Sequence, residues 1–172
     1  MLDPATIAQK LGAPIQHVEA VWPLIVAALD EQGIRSDLVE IAAAATVGTE
    51  VPAFQPISEL GGPAYLARYD GRSSLGNTEP GDGARFKGRG FIQLTGRANY
   101  DAAGQALGLF LLDSPELALE PHTAARILAW FFKDRRVALA ADTRQWQTVR
   151  HRVNGGLNGW ERFSSLVEAL HG

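Results

Sequence analysis

The stretch that decides how this chain folds reads Gly81-Asp-Gly-Ala-Arg-Phe-Lys-Gly-Arg-Gly-Phe-Ile-Gln-Leu-Thr-Gly-Arg-Ala-Asn-Tyr100. Glycines punctuate its first half and permit turns and close approaches of the backbone. Residues 91–95 then alternate, which predicts a short strand with Phe91, Gln93 and Thr95 on one face and aliphatic residues on the other. Such a strand would bury its aliphatic face and present an amide and a hydroxyl to a cleft.

Upstream, a helix is predicted to begin after Ser36 and to end near Glu50. Ser36 is a favourable N-cap, and Pro52 disfavours helical geometry at the residue before it. A helix C-terminus carries partial negative charge and the preceding residues are mostly apolar, so both effects disfavour the charged form of this carboxyl. A general acid needs that property, although a frayed, solvated helix end is the plainer alternative.

A second carboxyl, Glu59, lies where two prolines exclude a regular helix, so a bent loop can aim it into the same cleft as Glu50. The loop at residues 70–90 is longer than a routine connection, which indicates a function. It carries four basic side chains, at Arg72, Arg85, Lys87 and Arg89. Local positive charge would suit an anionic polymer such as peptidoglycan, whereas ordinary solvated side chains are the alternative.

The composition excludes several classes of protein. With 172 residues, 46% hydrophobic and 20% charged, the chain is typical of one soluble globular domain. It has no cysteine, and its four histidines lack ligand spacing, so we expect neither a metal nor a cofactor. The net charge of −3 argues against a nucleic-acid partner. No apolar run reaches the roughly 18 residues of a membrane span, and the N-terminus lacks the pattern of a secretory signal.

Several segments, taken in order, closely resemble the family-nineteen glycoside hydrolases, which are chitinase-like enzymes. Lys87-Gly-Arg-Gly-Phe-Ile-Gln-Leu-Thr-Gly-Arg-Ala-Asn-Tyr100 resembles the family signature, and the longer run from Leu75 resembles its phage endolysin branch. Gly48-Thr-Glu50, followed by Phe54, resembles the catalytic-acid segment, and Val153-Asn-Gly-Gly-Leu-Asn-Gly159 resembles the late Asn-Gly-Gly motif. Together the matches span roughly residues 42–159.

This resemblance implies a mainly α, lysozyme-like α+β fold with a small β element around residues 91–95. It implies one catalytic domain, 1–172, in which N-terminal helices (1–35) precede a lysozyme-like core (36–172). A helix starting at Pro121 is apolar nearly all round, and we expect it to be the buried central helix.

The resemblance also assigns roles to individual residues. Glu50 would be the general acid, Glu59 the base that activates water, and Thr95 the hydroxyl that helps to hold that water. The remaining side chains would bind the glycan: Gln93, Asn99, Asn154, Arg89 and Tyr100. Thr95 could instead cap the following helix.

This chain departs from the family pattern at two positions. Thr49 stands where the family commonly has histidine, and Pro52 stands where glycine is more usual. Both lie beside Glu50, so they bear on how finely its acidity is adjusted more than on whether it is the general acid. Glu79, in the long loop, is a competing candidate for the base.

We therefore expect an endolysin-type glycoside hydrolase that cleaves β-1,4 bonds of peptidoglycan by paired-carboxylate, inverting hydrolysis. A chitinase acting on poly-N-acetylglucosamine and a catalytically silent glycan-binding protein are the alternatives. The partner would be peptidoglycan glycan strands, with no nucleic acid and no stable membrane insertion, and the protein would be a monomer. It would be made in a host bacterial cytoplasm without a signal peptide and would act on the periplasmic cell wall after release.

Overall fold

Helices form where capping residues and apolar spacing favour them. The computed structural model describes residues 1–172. Its α-helices are α1 (Pro4–Leu11), α2 (Ile15–Glu31), α3 (Asp37–Glu50), α4 (Pro63–Leu66), α5 (Asp82–Arg85), α6 (Arg97–Leu107), α7 (Pro121–Asp134), α8 (Val137–Asp142), α9 (Trp146–Asn154) and α10 (Trp160–His171). The mainly α, lysozyme-like class expected from the sequence is confirmed. By length and hydropathy, no helix qualifies as a membrane span.

One hydrophobic core joins the N-terminal helices to the rest of the chain. Its 45 buried residues run from Ile7 to Leu170, and α2 packs on α7 while α3 packs on α10. Eight residues of α7 are buried, which confirms the prediction of a buried central helix. α3 is buried more continuously, from Val39 to Gly48 without interruption, because its alanines let neighbouring helices approach from all sides.

The β structure differs from the predicted strand at residues 91–95. Strand β1 (Ile57–Ser58) pairs antiparallel with strand β2 (Arg89–Gly90), so the strand ends where the prediction placed its start. The chain then reverses in a tight turn that a bridge between Arg89 and Leu94 closes. Gln93 has a positive φ of 53°, as a reversal of this kind requires. The alternating residues therefore form a turn, in which Phe91, Ile92 and Leu94 are all buried in the core.

Close packing fixes the C-terminal end of α3. A methyl group added to Gly48 would lie 2.6 Å from Leu11 Cδ2 and 3.1 Å from Leu166 Cδ1. α1 and α10 therefore pack against the last turn of α3 at Gly48, where a larger residue would require the two leucine side chains to shift. Glu50 follows two residues later, at the end of this packed turn.

Candidate active site

Glu50 is the last residue of α3, as the sequence predicted. The Ser36 hydroxyl caps the start of the helix by accepting a hydrogen bond from the Val39 backbone N–H at 3.1 Å. The helix stops at Glu50 because Val51 leaves helical geometry before Pro52. The carboxyl side chain is 17% exposed, so it stands at the boundary between core and solvent.

A buried arginine pairs with this carboxylate. Arg150 Nη1 donates to Glu50 Oε1, and Arg150 is only 3% exposed. Arg150 Nε also donates to the carbonyl of Asn158 at 2.6 Å. The surroundings of Glu50 are therefore not only apolar, as the sequence suggested, because a buried guanidinium contacts its carboxylate.

Sequence reasoning missed Arg150, although a signal for it existed. Arg150 lies one turn of α9 from both Trp146 and Asn154, on the side of that helix where Val149 and Val153 also meet the core. An arginine among inward-facing positions requires a carboxylate partner. Glu50, one hundred residues earlier, is that partner.

Glu59 is held by donors on both carboxylate oxygens. Oε1 accepts from the hydroxyls of Tyr69 at 2.9 Å and Tyr65 at 3.1 Å, and Oε2 accepts from the Gly88 backbone N–H at 3.0 Å. The hydrogen bond with Tyr65, and then burial and the bond with Glu59, raise the pKa of Tyr69, so that this hydroxyl keeps its proton. Three donors in fixed positions suit a charged carboxylate.

Gln93 and Thr95 lie beside Glu59, around Gly88. A methyl group added to Gly88 would lie 2.9 Å from Gln93 Oε1, 3.2 Å from Thr95 Oγ1 and 3.3 Å from Glu59 Oε2. The Thr95 hydroxyl donates to the Gln93 carbonyl at 2.8 Å, and α6 has no side-chain cap, so Thr95 does not serve as the helix cap. Amide, hydroxyl and carboxylate thus meet at one point, as the shared polar face suggested.

The two asparagines differ in their surroundings. Asn99 donates to the Thr95 carbonyl at 2.7 Å and accepts from Arg135 at 3.2 Å, which fixes its side chain next to the cluster around Gly88. Asn154 ends α9 and is exposed, next to Gly155 at a φ of 76°. Asn154 is therefore free to meet a ligand, whereas Asn99 is already engaged.

The structure corrects the expectation that Arg89 and Tyr100 contact the glycan. Arg89 is 9% exposed and Tyr100 is fully buried. Arg89 donates to the Tyr100 hydroxyl and to the Arg85 carbonyl, both at 2.9 Å, and the Tyr100 hydroxyl donates to the Lys87 carbonyl at 2.8 Å. Burial raises the pKa of Tyr100. These side chains support the backbone that presents Gly88 and cannot themselves reach a polymer.

The long loop is ordered by its own polar residues. Asp70 accepts from the Gly81 and Gly83 backbone N–H groups at 3.0 and 2.6 Å, and Asp82 pairs with Arg97. The Arg97 hydrogen bond lowers the pKa of Asp82. Glu79 is exposed and its carboxylate has no hydrogen-bond partner. Unlike Glu59, Glu79 is not held in one orientation.

Comparison with known proteins matches this chain to one protein family. A family model described as glycosyl hydrolase family 19, chitinase class I, matches residues 66–152, a range that holds Gly88, Thr95 and Arg150 but neither Glu50 nor Glu59. A glycosyl hydrolase family 19 domain-containing protein of Haemophilus influenzae is 32% identical over 102 residues, covering 59% of this chain and 49% of that protein. An acidic 27 kDa endochitinase of Solanum lycopersicum is 47% identical over 51 residues, covering 29% of this chain and 21% of that protein.

The chain therefore spans less than half the length of these two relatives. Among solved structures, chitinase C from Streptomyces griseus HUT6037 superposes with a TM-score of 0.73 at 22% identity. The superposition covers 98% of this chain and 76% of that one. This likeness shows that the two proteins share a fold.

Proposed function

Because this chain belongs to glycosyl hydrolase family 19, we propose that it is a glycoside hydrolase that cleaves β-1,4 bonds in peptidoglycan, with Glu50 as acid and Glu59 as base. One observation carries the proposal: the Glu59 carboxylate, the Thr95 hydroxyl and the Gln93 amide oxygen converge around Gly88. A water molecule beside these groups would find a base and two further polar partners. Two tyrosines and a backbone N–H hold the base in place.

In the acid step Glu50 gives a proton to the leaving oxygen, and Arg150 is the side chain that contacts this carboxyl in the structure. Arg150 also donates a hydrogen bond to the Asn158 carbonyl, in the loop after α9. A glycan that displaces this loop would therefore also move Arg150 away from Glu50. Glu50 would then be free to face the leaving oxygen. Inverting hydrolysis would then proceed with the two carboxyls about 6.5–9.5 Å apart and water between them.

Peptidoglycan is the first substrate proposed because basic side chains of residues 65–90 remain exposed in a chain of net charge −3. Chitin, an uncharged polymer, is the second candidate, favoured by the relatives named as chitinases and endochitinases. The proposed site of action is the cell wall, without a stable membrane-bound state.

The test is turbidity loss of outer-membrane-permeabilised Gram-negative cells, with Glu50→Gln, Glu59→Gln and Glu79→Gln as variants. We expect the parent to lyse the cells, the first two variants to lose more than about 99% of the rate, and Glu79→Gln to keep it. Circular dichroism should show that every variant is folded.

Retained lysis by Glu59→Gln together with loss by Glu79→Gln would move the base to Glu79. Soluble products from chitin, without lysis, would establish the second candidate. Saturable binding to sacculi that is unchanged in Glu50→Gln, with no cleavage of either polymer, would establish a silent glycan-binding protein.

A further inference from the structure

Two exposed arginines lie on the aromatic rings that hold the candidate base. Tyr65 and Tyr69 meet edge to face, with their ring centroids 6.0 Å apart, and both hydroxyls donate to Glu59. The Arg68 guanidinium carbon lies 4.1 Å from the Tyr65 centroid, and that of Arg72 lies 5.1 Å from the Tyr69 centroid. Each ring therefore contacts Glu59 at its hydroxyl and an arginine at its face.

Neither arginine has an acidic partner. The protein contains seven ion pairs, and none involves Arg68 or Arg72. Arg68 Nε donates to the Tyr65 carbonyl at 3.2 Å, which orients its guanidinium and leaves both terminal nitrogens for a ligand. Of the loop cations highlighted in the sequence, Arg89 is buried and Arg85 donates to the Leu112 carbonyl. Lys87, half-buried beside Gly88, also lacks an acidic partner but is not stacked on either ring. Arg68 and Arg72 are therefore the uncommitted cations that stack on the rings holding Glu59.

We propose that Arg68 and Arg72 bind carboxylates carried on the glycan strand and so select peptidoglycan over chitin. This inference rests on the proposed function, because it assigns specificity to the same site. A planar guanidinium pairs with a carboxylate through two parallel hydrogen bonds, and stacking on tyrosine preserves that plane. Peptidoglycan offers carboxylates on its stem peptides, or on its lactyl groups once the peptides are removed, whereas poly-N-acetylglucosamine has none.

The position of Arg68 and Arg72 explains why selection of an acidic glycan would need these two cations. A substrate carboxylate that approaches Glu59 meets a negative charge, and repulsion between like charges would weaken binding. Two cations on the rings that hold Glu59 offset that charge. Because the tyrosines join Arg68 and Arg72 to the base, a bound carboxylate would also fix which glycosidic bond lies beside Glu59.

The experiment compares the parent with Arg68→Gln/Arg72→Gln on three substrates: intact sacculi, amidase-treated strands with free lactyl carboxylates, and chitin oligosaccharides. We expect kcat/KM on intact sacculi to fall roughly tenfold, mainly through KM, with chitin hydrolysis unchanged. A matching fall on amidase-treated strands would identify the lactyl carboxylate, and a fall on intact sacculi alone would identify the stem peptide. The matched control is Lys10→Gln/Arg144→Gln, which removes two exposed charges elsewhere and should keep the parent's rates.

Unchanged cleavage of sacculi by the double variant would overturn the inference and leave the proposed function standing. Equal losses on sacculi and chitin would also overturn it, since the arginines would then be supporting Glu59 and not selecting a substrate. If the parent cleaves nothing, the proposed function fails, and co-sedimentation with sacculi decides the inference independently. In that case binding weakened in the double variant alone supports it, and equal binding refutes it.

Discussion

The ion pair between Glu50 and Arg150 can be tested by a double-mutant cycle that needs no activity assay. The variants are Glu50→Gln, Arg150→Met and the two combined. Removing one partner of a buried pair costs about 3–5 kcal/mol. Because Glu50 keeps 17% exposure, we expect about 2–3 kcal/mol for Arg150→Met, which corresponds to a fall in Tm of roughly 4–12 °C for a chain of this size.

The free energies of unfolding would be measured by urea denaturation at pH 7. Since the double variant leaves no buried charge alone, it should lose about 1–3 kcal/mol less than the sum of the single variants. Asp134→Asn is the control, because Asp134 and Arg135 form an exposed pair whose side chains are 47% and 49% exposed. That control should cost less than about 0.5 kcal/mol. Additive single effects, within about 0.5 kcal/mol, would refute the pairing.

Three further predictions concern the cluster around Glu59 and the long loop. Gly88→Ala should lower kcat at least about tenfold with little change in Tm, because its methyl group would displace three polar side chains. The control is Gly62→Ala, whose methyl group meets nothing within 4 Å and which should keep the parent's kcat. Equal kcat in both variants would contradict the role of Gly88. Tyr69→Phe should lower kcat, because it removes a hydroxyl that orients the carboxylate of the candidate base; an unchanged kcat would count against that base. Pairing with Arg97 lowers the pKa of Asp82, so the pair's contribution to stability should be complete well above pH 4 and should be lost as pH falls towards the folded value. Urea titrations should show a larger loss in the parent than in Arg97→Gln, where the Thr78 and Glu79 backbone N–H groups still donate to Asp82.

Local sequence signals were sufficient to place the candidate acid at a helix end. Ser36 and Pro52 bound one helix, so the position of Glu50 at its end followed from capping and proline sterics. The polar cluster was also foreseeable in part, because Gln93 and Thr95 are two residues apart. The strand assigned to them was wrong, since five alternating residues also fit a turn once Gln93 takes a positive φ.

The other parts of the site depend on contacts that no local pattern encodes. Arg150 reaches Glu50 across one hundred residues, and Gly88 reaches Glu59 across 29. Arg89 was expected to face a ligand because it lies in the family signature, yet tertiary packing buries it. Spacing along the chain indicates which residue types matter, and it does not indicate whether a side chain points outward.

The burial of α3 has a consequence for how the protein is synthesised. Its buried, mostly apolar run, Val39 to Gly48, is synthesised early, but α10, against which it packs, begins only at Trp160. At about 5–20 residues per second, a ribosome needs roughly 6–22 s to synthesise that interval. Throughout this interval the nascent chain contains a helix whose apolar surface is not yet packed against α10. Slower translation would lengthen this exposure, so we expect the soluble yield to depend on elongation rate and chaperone supply, while the finished protein remains stable.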